Sequence, residues 1–328
     1  MSQPFDQEWD VAVAAVRQAA ALCRDVQREL KGAVLEKDDK SPVTIADFGS
    51  QALICRALQE AFPSDPVIGE EDAAALREAG QSKLLARVAE HVSRHAPGAS
   101  AERACAWIDR GGAQTFSSRF WTLDPIDGTK GFLRGEQYAV ALALLVDGQV
   151  TVAAVACPNL PPQAGPETGE GVIFSAVRGR GAWTEPLSGG PRGAIRARTS
   201  SDAAQARYCE SVESRHSSQS DAARVAEALG IVLPPRRLDS MAKYALVARG
   251  EADLYMRLPT GAKYQEKIWD HAAGALVATE AGATVSDIEG KPLDFTHGRE
   301  LLKNRGILTT NGPLHRRALD AIRNLPRA

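Results

Sequence analysis

Two stretches of helical period open the chain. From Trp9 to about Leu30 an Ala-rich segment repeats apolar residues at helical spacing, which predicts a first helix. From Ile45 to Phe62, the residues Phe48, Ala52, Cys55, Leu58 and Phe62 share one stripe and Pro63 ends the run. Pro66-Val67-Ile68 then reads as a short strand stopped at Gly69-Glu70-Glu71, and a further helix is predicted over Lys83 to His95. Trp121-Thr122-Leu123 is short and apolar, and Asp124-Pro125-Ile126-Asp127-Gly128-Thr129 breaks it.

After that break the period becomes two. Tyr138 to Val146 and Gln149 to Cys157 flank Asp147-Gly148, a strong hairpin signal, and Gly171 to Val177 and Gly181 to Thr184 continue the β pattern. Residues Pro186 to Gln205, rich in Gly, Ser and Arg, mark the best boundary between halves. Beyond them helical signals (Ala222–Leu229, Ser240–Arg249, Ile268–Ala281, then a last helix to Asn324) alternate with extended ones (Asp253–Arg257, Gly282–Asp287, Gly306–Thr309). The expected class is α/β: an α+β half over 1–190, an α/β half over 200–328, and a cleft between layered elements.

The 328 residues, 44% hydrophobic and 24% charged, fit one large domain or two halves with a core that needs no disulfides. A net charge of -2 supplies no basic field for nucleic acid or acidic lipid, so neither is an expected partner. A phosphorylated ligand would have to be held by local cations or bound metal. The five cysteines are scattered, with neither C-x-x-C pairs nor zinc spacing, and read as reduced packing thiols. Met1 to Asp10 has no signal-peptide pattern, and no apolar run approaches the roughly 20 residues of a membrane span. The expected compartment is the cytoplasm.

Four acidic features stand at expected element ends: Asp47 at a helix start, Glu70-Glu71 after a strand, Asp124-x-x-Asp127 after a strand, and Asp270 at a helix start. Hard divalent cations such as magnesium prefer carboxylate oxygens. Two such ions about 3.5–4 Å apart can clamp the attacking and leaving oxygens of a phosphoryl displacement. Pro125 stiffens the turn that presents Asp124 and Asp127, and Gly128 admits a close ligand. If Gly128-Thr129 opens a helix, its amides offer a phosphate seat. The segment also invites comparison with the D-x-D-G-T/V signature of haloacid-dehalogenase phosphatases. Its spacing is one residue longer and it lies mid-chain, which excludes that reading.

In order along the chain, Asp47, Gly69-Glu70-Glu71, Asp124 to Thr129 and Trp269-Asp270 give a pattern that resembles the inositol monophosphatase superfamily. Within it the chain is most similar to the plant- and yeast-type 3'(2'),5'-bisphosphate nucleotidases. That likeness rests on Ser41 to Thr44, Lys130 to Tyr138, Val212-Glu213, His216 to Ser218, Ser240 to Tyr244, and Tyr264 to Gly274. The resemblance implies a layered αβαβα sugar-phosphatase fold, and two or three magnesium ions on Glu70, Asp124, the Ile126 carbonyl, Asp127 and Asp270. It implies that Asp47 and Thr129 orient and deprotonate the attacking water, and that the Gly128 and Thr129 amides hold the phosphate. His216, Ser240, Lys243 and Arg257 would hold the rest of a nucleotide bisphosphate. The implied activity removes the 3'-phosphate of 3'-phosphoadenosine 5'-phosphate, and by extension of its 5'-phosphosulfate, within sulfur assimilation and with sensitivity to lithium. The rival readings are an inositol phosphate or sugar bisphosphate phosphatase on the same metal site, and a non-catalytic sensor. A sensor would be marked by loss of a metal carboxylate or of Asp47 and Thr129, and all are present. Ile45-Ala46 and Phe48 depart from the family's choices around Asp47. The segments 161–171 and 186–201 match nothing in it and are candidates to shape the cleft edge.

Overall fold

The computed structural model describes residues 3–32, 41–162, 170–214, 217–261 and 264–325. Helix α1 (Asp6–Gly32) and helix α2 (Ser41–Ala61) follow the two helical stretches. Both bury wide apolar faces, with Val16, Ala19, Cys23, Ile45, Ala52 and Leu58 all inaccessible to solvent. They lie on one face of a seven-stranded sheet: β1 (Val67–Gly69), β2 (Arg119–Asp127), β3 (Ala139–Val146), β4 (Gln149–Cys157), β5 (Val172–Val177), β6 (Gly181–Pro186) and β7 (Gly193–Ile195), in that order. Only β1 and β2 run parallel. Helices α3 (Ser82–His95) and α4 (Ala101–Asp109) pack beside α2, and α4 was not expected from the sequence. The short helix α5 (Thr129–Arg134) follows β2.

The strands alternate as period two demands. In β3, Val140, Leu142 and Leu144 join the core beneath α1 and α2, whereas Ala139, Ala141, Ala143 and Leu145 face the other way. That second face is covered by helices from the far end of the sequence: α7 (Ala242–Ala248) and α8 (Ala272–Glu280), the latter lying across β3 to β6. The outer face of this helix layer meets a five-stranded sheet of order β11 (Thr284–Ser286), β12 (Ile307–Thr310), β10 (Leu254–Arg257), β8 (Tyr208–Glu210), β9 (Arg236–Arg237). Tyr255 of β10 points into the middle core, while Leu254 and Met256 point outward to α6 (Gln219–Leu229) and α9 (His315–Arg323). The order of layers is therefore helix, sheet, helix, sheet, helix, which is the expected αβαβα arrangement. Among the described residues no helix is long and apolar enough to cross a membrane.

Three local expectations need correction. Helix α2 begins at Ser41, so Asp47 lies in its second turn rather than at its start. Helix α8 begins at Ala272, so Asp270 sits in the turn before it. Asp124 does not end β2: the strand continues to Asp127 through a bulge, with Asp124 opposite Ala141 and Asp127 opposite Ala139. Three steps on β2 match two on β3. Residues three apart on a regular strand face opposite sides. The extra residue turns both aspartates to the side of Ala139 and Ala141, and leaves Ile126 in the opposite core.

Candidate active site

A cleft of about 530 Å³ opens where the end of β2 meets the middle helix layer. Ten of the expected residues line it: Glu70, Asp124, Ile126, Asp127, Gly128, Thr129, Ser240, Lys243, Arg257 and Asp270. Asp47 stands behind this lining, nearly buried in α2. His216 lies outside the described residues. Segment 186–201 contributes nothing to the cleft wall, contrary to expectation. It forms β7, and its Arg192 pairs with Asp10 and Glu185 and lies over the Trp9 ring at 4.2 Å, on the α1 side of the molecule.

The bulge is held from both sides. Ser50 of α2 donates its hydroxyl to the Pro125 carbonyl at 2.9 Å, and Pro125, lacking an N–H, removes no bond from the ladder. One helical turn beyond Asp47, Gln51 clamps the acidic loop after β1. Its amide nitrogen donates to the Glu71 carbonyl (2.7 Å) and the Ile108 carbonyl (3.0 Å), and its oxygen accepts from the Glu71 N–H (3.0 Å). A Cβ on Gly69 would stand 2.6 Å from Gln51 Oε1, which accounts for the glycine of Gly-Glu-Glu. The role of Gln51 was missed from sequence. The signal was its position four residues after Asp47, on the same helix face.

Gly128 adopts φ 88° and starts α5, with Asp239 and Ser240 so close that a Cβ would lie 3.2 Å from each. Here the two halves touch. Asp127 accepts the Met241 amide, and Ser240 sits at φ 72°, a left-handed conformation costly for serine. The Ser240 hydroxyl accepts from the Ala242 N–H at 3.2 Å, so it also serves the start of α7. The Thr129 hydroxyl donates to the Ile126 carbonyl at 3.4 Å; among the described residues no bond joins it to Asp47.

The carboxylates crowd one another. Burial, with the charges of Glu71 and Glu70, holds Asp47 well above the usual carboxylate range. Burial followed by Glu70, Asp127, Asp270 and Asp47 does the same to Asp124. Glu70 is pushed up to about 8 by desolvation, Asp270, Glu71 and Asp127, although its side chain opens toward solvent in the cleft. Asp127 rises to about 6 through burial and Asp270, against the pull of Lys243, the Met241 amide and Arg257. Asp124 Oδ1 is buried without a hydrogen-bond partner among the described residues. Carboxylates that raise one another's proton affinity, one with an orphaned buried oxygen, form a donor set suited to a hard cation. Glu266, Asp270 and His271 also bring ligand-type atoms within 4.8 Å of one another. Glu266 and His271, however, are already satisfied by Arg257, by Tyr244 and by each other.

The facing wall is cationic. Lys243 is buried, donates to the carbonyls of Ser240 (2.8 Å) and Leu238 (3.2 Å), and lies 5.3 Å from the Tyr255 ring. Desolvation lowers its pKa to about 8. Arg257 donates through Nε to Glu266 and through Nη2 to the Tyr264 hydroxyl (3.1 Å), with Asp270 at 3.5 Å. Neither Tyr255 nor Tyr264 was expected from sequence to line the cleft.

Five alternating layers with an acidic cleft at the shared helix layer place the molecule among the inositol monophosphatase folds. The inositol monophosphatase of Anabaena (Nostoc) superposes with a TM-score of 0.62 at 20% identity, spanning 99% of this chain and 98% of that one. That of Zymomonas mobilis gives 0.65 at 18% identity, over 98% and 100%. At these identities the likeness is one of fold. The family model for the inositol monophosphatase family matches residues 5–326, and the chain belongs to that family. Its members are metal-dependent, in keeping with the donor set here. Among relatives, the 3'(2'),5'-bisphosphate nucleotidase of Emericella nidulans is 43% identical over 350 residues, covering 98% of this chain and 99% of its own. That of Schizosaccharomyces pombe is 43% identical over 335 residues (97% and 95%), and that of Oryza sativa is 42% identical over 340 (98% and 95%).

Proposed function

We propose that this protein is a magnesium-dependent phosphatase that hydrolyses the 3'-phosphate of 3'-phosphoadenosine 5'-phosphate, and by extension of its 5'-phosphosulfate, to leave the 5'-nucleotide and phosphate. The observation that carries this reading is the pairing of two unlike walls. A crowded carboxylate set faces the buried Lys243 and the partly buried Arg257 across one cleft, as a substrate with one reacting and one retained phosphate requires. The near full-length similarity to nucleotidases of fungi and rice supports the same substrate class.

Glu70, Asp124, the Ile126 carbonyl, Asp127 and Asp270 would hold two or three magnesium ions. Bound there, magnesium would neutralise phosphate charge and lower the pKa of a coordinated water. The chain's own residues do the rest. Asp47, whose proton affinity burial has raised, is suited to accept a proton from the attacking water, with Thr129 orienting it. The Gly128 and Thr129 amides at the start of α5 receive the reacting phosphate. Ser240, Lys243, Arg257 and His216 take the retained phosphate and its nucleoside. In this division, residues 1–190 bring the catalytic pair and most metal ligands, and 200–328 bring the nucleotide-binding side chains and Asp270. Five free, buried thiols suit a reducing compartment such as the cytoplasm.

Phosphate release by the purified protein tests the reading, with magnesium and then with chelator. The expected result is magnesium-dependent preference for 3'-phosphoadenosine 5'-phosphate over inositol 1-phosphate and fructose 1,6-bisphosphate. Equal or better turnover of either competitor sinks the nucleotide assignment, and no release from any substrate sinks the phosphatase.

A further inference from the structure

Three side chains close to the cleft have no part in the chemistry above, yet they form a continuous line to Arg257. The Tyr244 hydroxyl meets His271 Nδ1 at 2.9 Å, and His271 Nε2 meets Glu266 Oε2 at 3.0 Å. Arg257 Nε closes the line, 3.0 Å from Glu266 Oε1 and 2.8 Å from Oε2. Tyr244 and His271 are wholly inaccessible to solvent, and Glu266 nearly so. Burial opposes ionisation of Glu266, but the hydrogen bond from His271 and the charge of Arg257 outweigh it and hold its pKa below the usual value. In the neutral ring with Glu266 as acceptor, the proton of His271 sits on Nε2 and Nδ1 accepts from the Tyr244 hydroxyl.

Packing fixes the far end of the line. Gly274 of α8 lies against the Tyr244 ring so closely that a Cβ there would stand 2.5 Å from Cδ2. At the near end, Nε is held by Glu266 and Nη2 by Tyr264 and Asp270. Arg257 lines the cleft, where the Tyr255 side chain also bonds its guanidinium. A guanidinium held from several sides meets the cleft in one orientation, whereas a free arginine would have to be ordered by the ligand.

We infer that Tyr244, His271 and Glu266 are positioning residues that hold Arg257 for the phosphate that is not cleaved, and so make the site select substrates with two phosphates. The inference rests on the nucleotidase reading through Arg257. It places the selection behind Arg257, in Tyr244 and His271, which do not line the cleft, and in Glu266 on its wall.

The test compares KM and kcat for 3'-phosphoadenosine 5'-phosphate and for adenosine 3'-monophosphate, which lacks the retained phosphate, at saturating magnesium. Glu266→Gln and His271→Gln should raise KM for the bisphosphate about tenfold, the scale of one charge-assisted contact, with kcat within about twofold. KM for the monophosphate should stay within about twofold of wild type in the same variants. Tyr244→Phe keeps the ring against Gly274 and removes only the hydroxyl, so it folds where the buried polar changes fail; it should raise the bisphosphate KM about threefold. Equal losses on both substrates, losses confined to kcat, or no change in Tyr244→Phe and Glu266→Gln would overturn the positioning role. Arg257→Ala separates the two layers of the argument. If it loses the bisphosphate preference while the other variants keep it, only the positioning line falls. If it treats both substrates as wild type does, the assignment of Arg257 to the retained phosphate falls as well.

Discussion

Asp127 is pulled two ways, upward by burial and Asp270 and downward by Lys243, the Met241 amide and Arg257, and it settles at about 6. Asn in its place mimics the protonated form, so Asp127→Asn should leave the melting temperature of metal-free protein unchanged or higher. Phosphate release should nonetheless fall at least about a hundredfold, as when a group aimed at transition-state charge is lost. An active Asp127→Asn protein would show that the cation is held elsewhere. The same crowding gives metal-free protein a pH dependence of definite sign. Glu70 moves from 4.5 to about 8 and Asp127 from 3.8 to about 6, so the folded chain binds protons that the unfolded chain releases. The resulting stabilisation is complete below the ordinary carboxylate range and disappears as pH rises through about 6 and then about 8. Thermal melts in chelator should therefore drop between about pH 5 and 8, above the ordinary carboxylate range, and added magnesium should flatten the drop. A melting temperature that climbs with pH over this window in chelator would contradict the crowding.

At the scale of elements, the bulge in β2 decides whether two aspartates reach the cleft or only one. The bond from Ser50 to the Pro125 carbonyl is buried, and Ser50→Ala should cost about 1 kcal/mol in denaturant unfolding and reduce activity. A loss of stability with full activity would mean the bulge holds without α2. This bulge was hidden in the sequence, where Pro125 and the acidic pair read as a strand ending. A proline ends most strands, and only pairing with β3 shows the ladder resuming at Asp127. Helix α2 was legible because its apolar stripe is long, but its first turn was not: the apolar period gives a helix's face before it gives its end. The two-residue strand β9, Arg236–Arg237, has no apolar period to be read at all.

At the scale of the molecule, the cleft residues were legible because each sits in a compact motif, while the contacts that fix them join distant segments. Gln51 to Glu71, Gly128 to Ser240 and Glu266 to His271 and Arg257 depend on which layers touch. No local pattern encodes that. Nor did the sequence show that the middle helix layer would serve both sheets. The expected boundary after Pro186 divides the chain by composition, yet α8 from the second half covers β3 to β6 of the first.

That shared layer makes each half the chaperone of the other. A backbone nick between β7 and β8 would leave an amino-terminal fragment with the face of Ala141, Ala143, Leu145 and Phe174 bare, and a carboxy-terminal fragment whose α8 had nothing to rest on. Such fragments should stay insoluble or unfolded apart and regain both shape and activity when mixed, so that the two pieces act as an obligate pair.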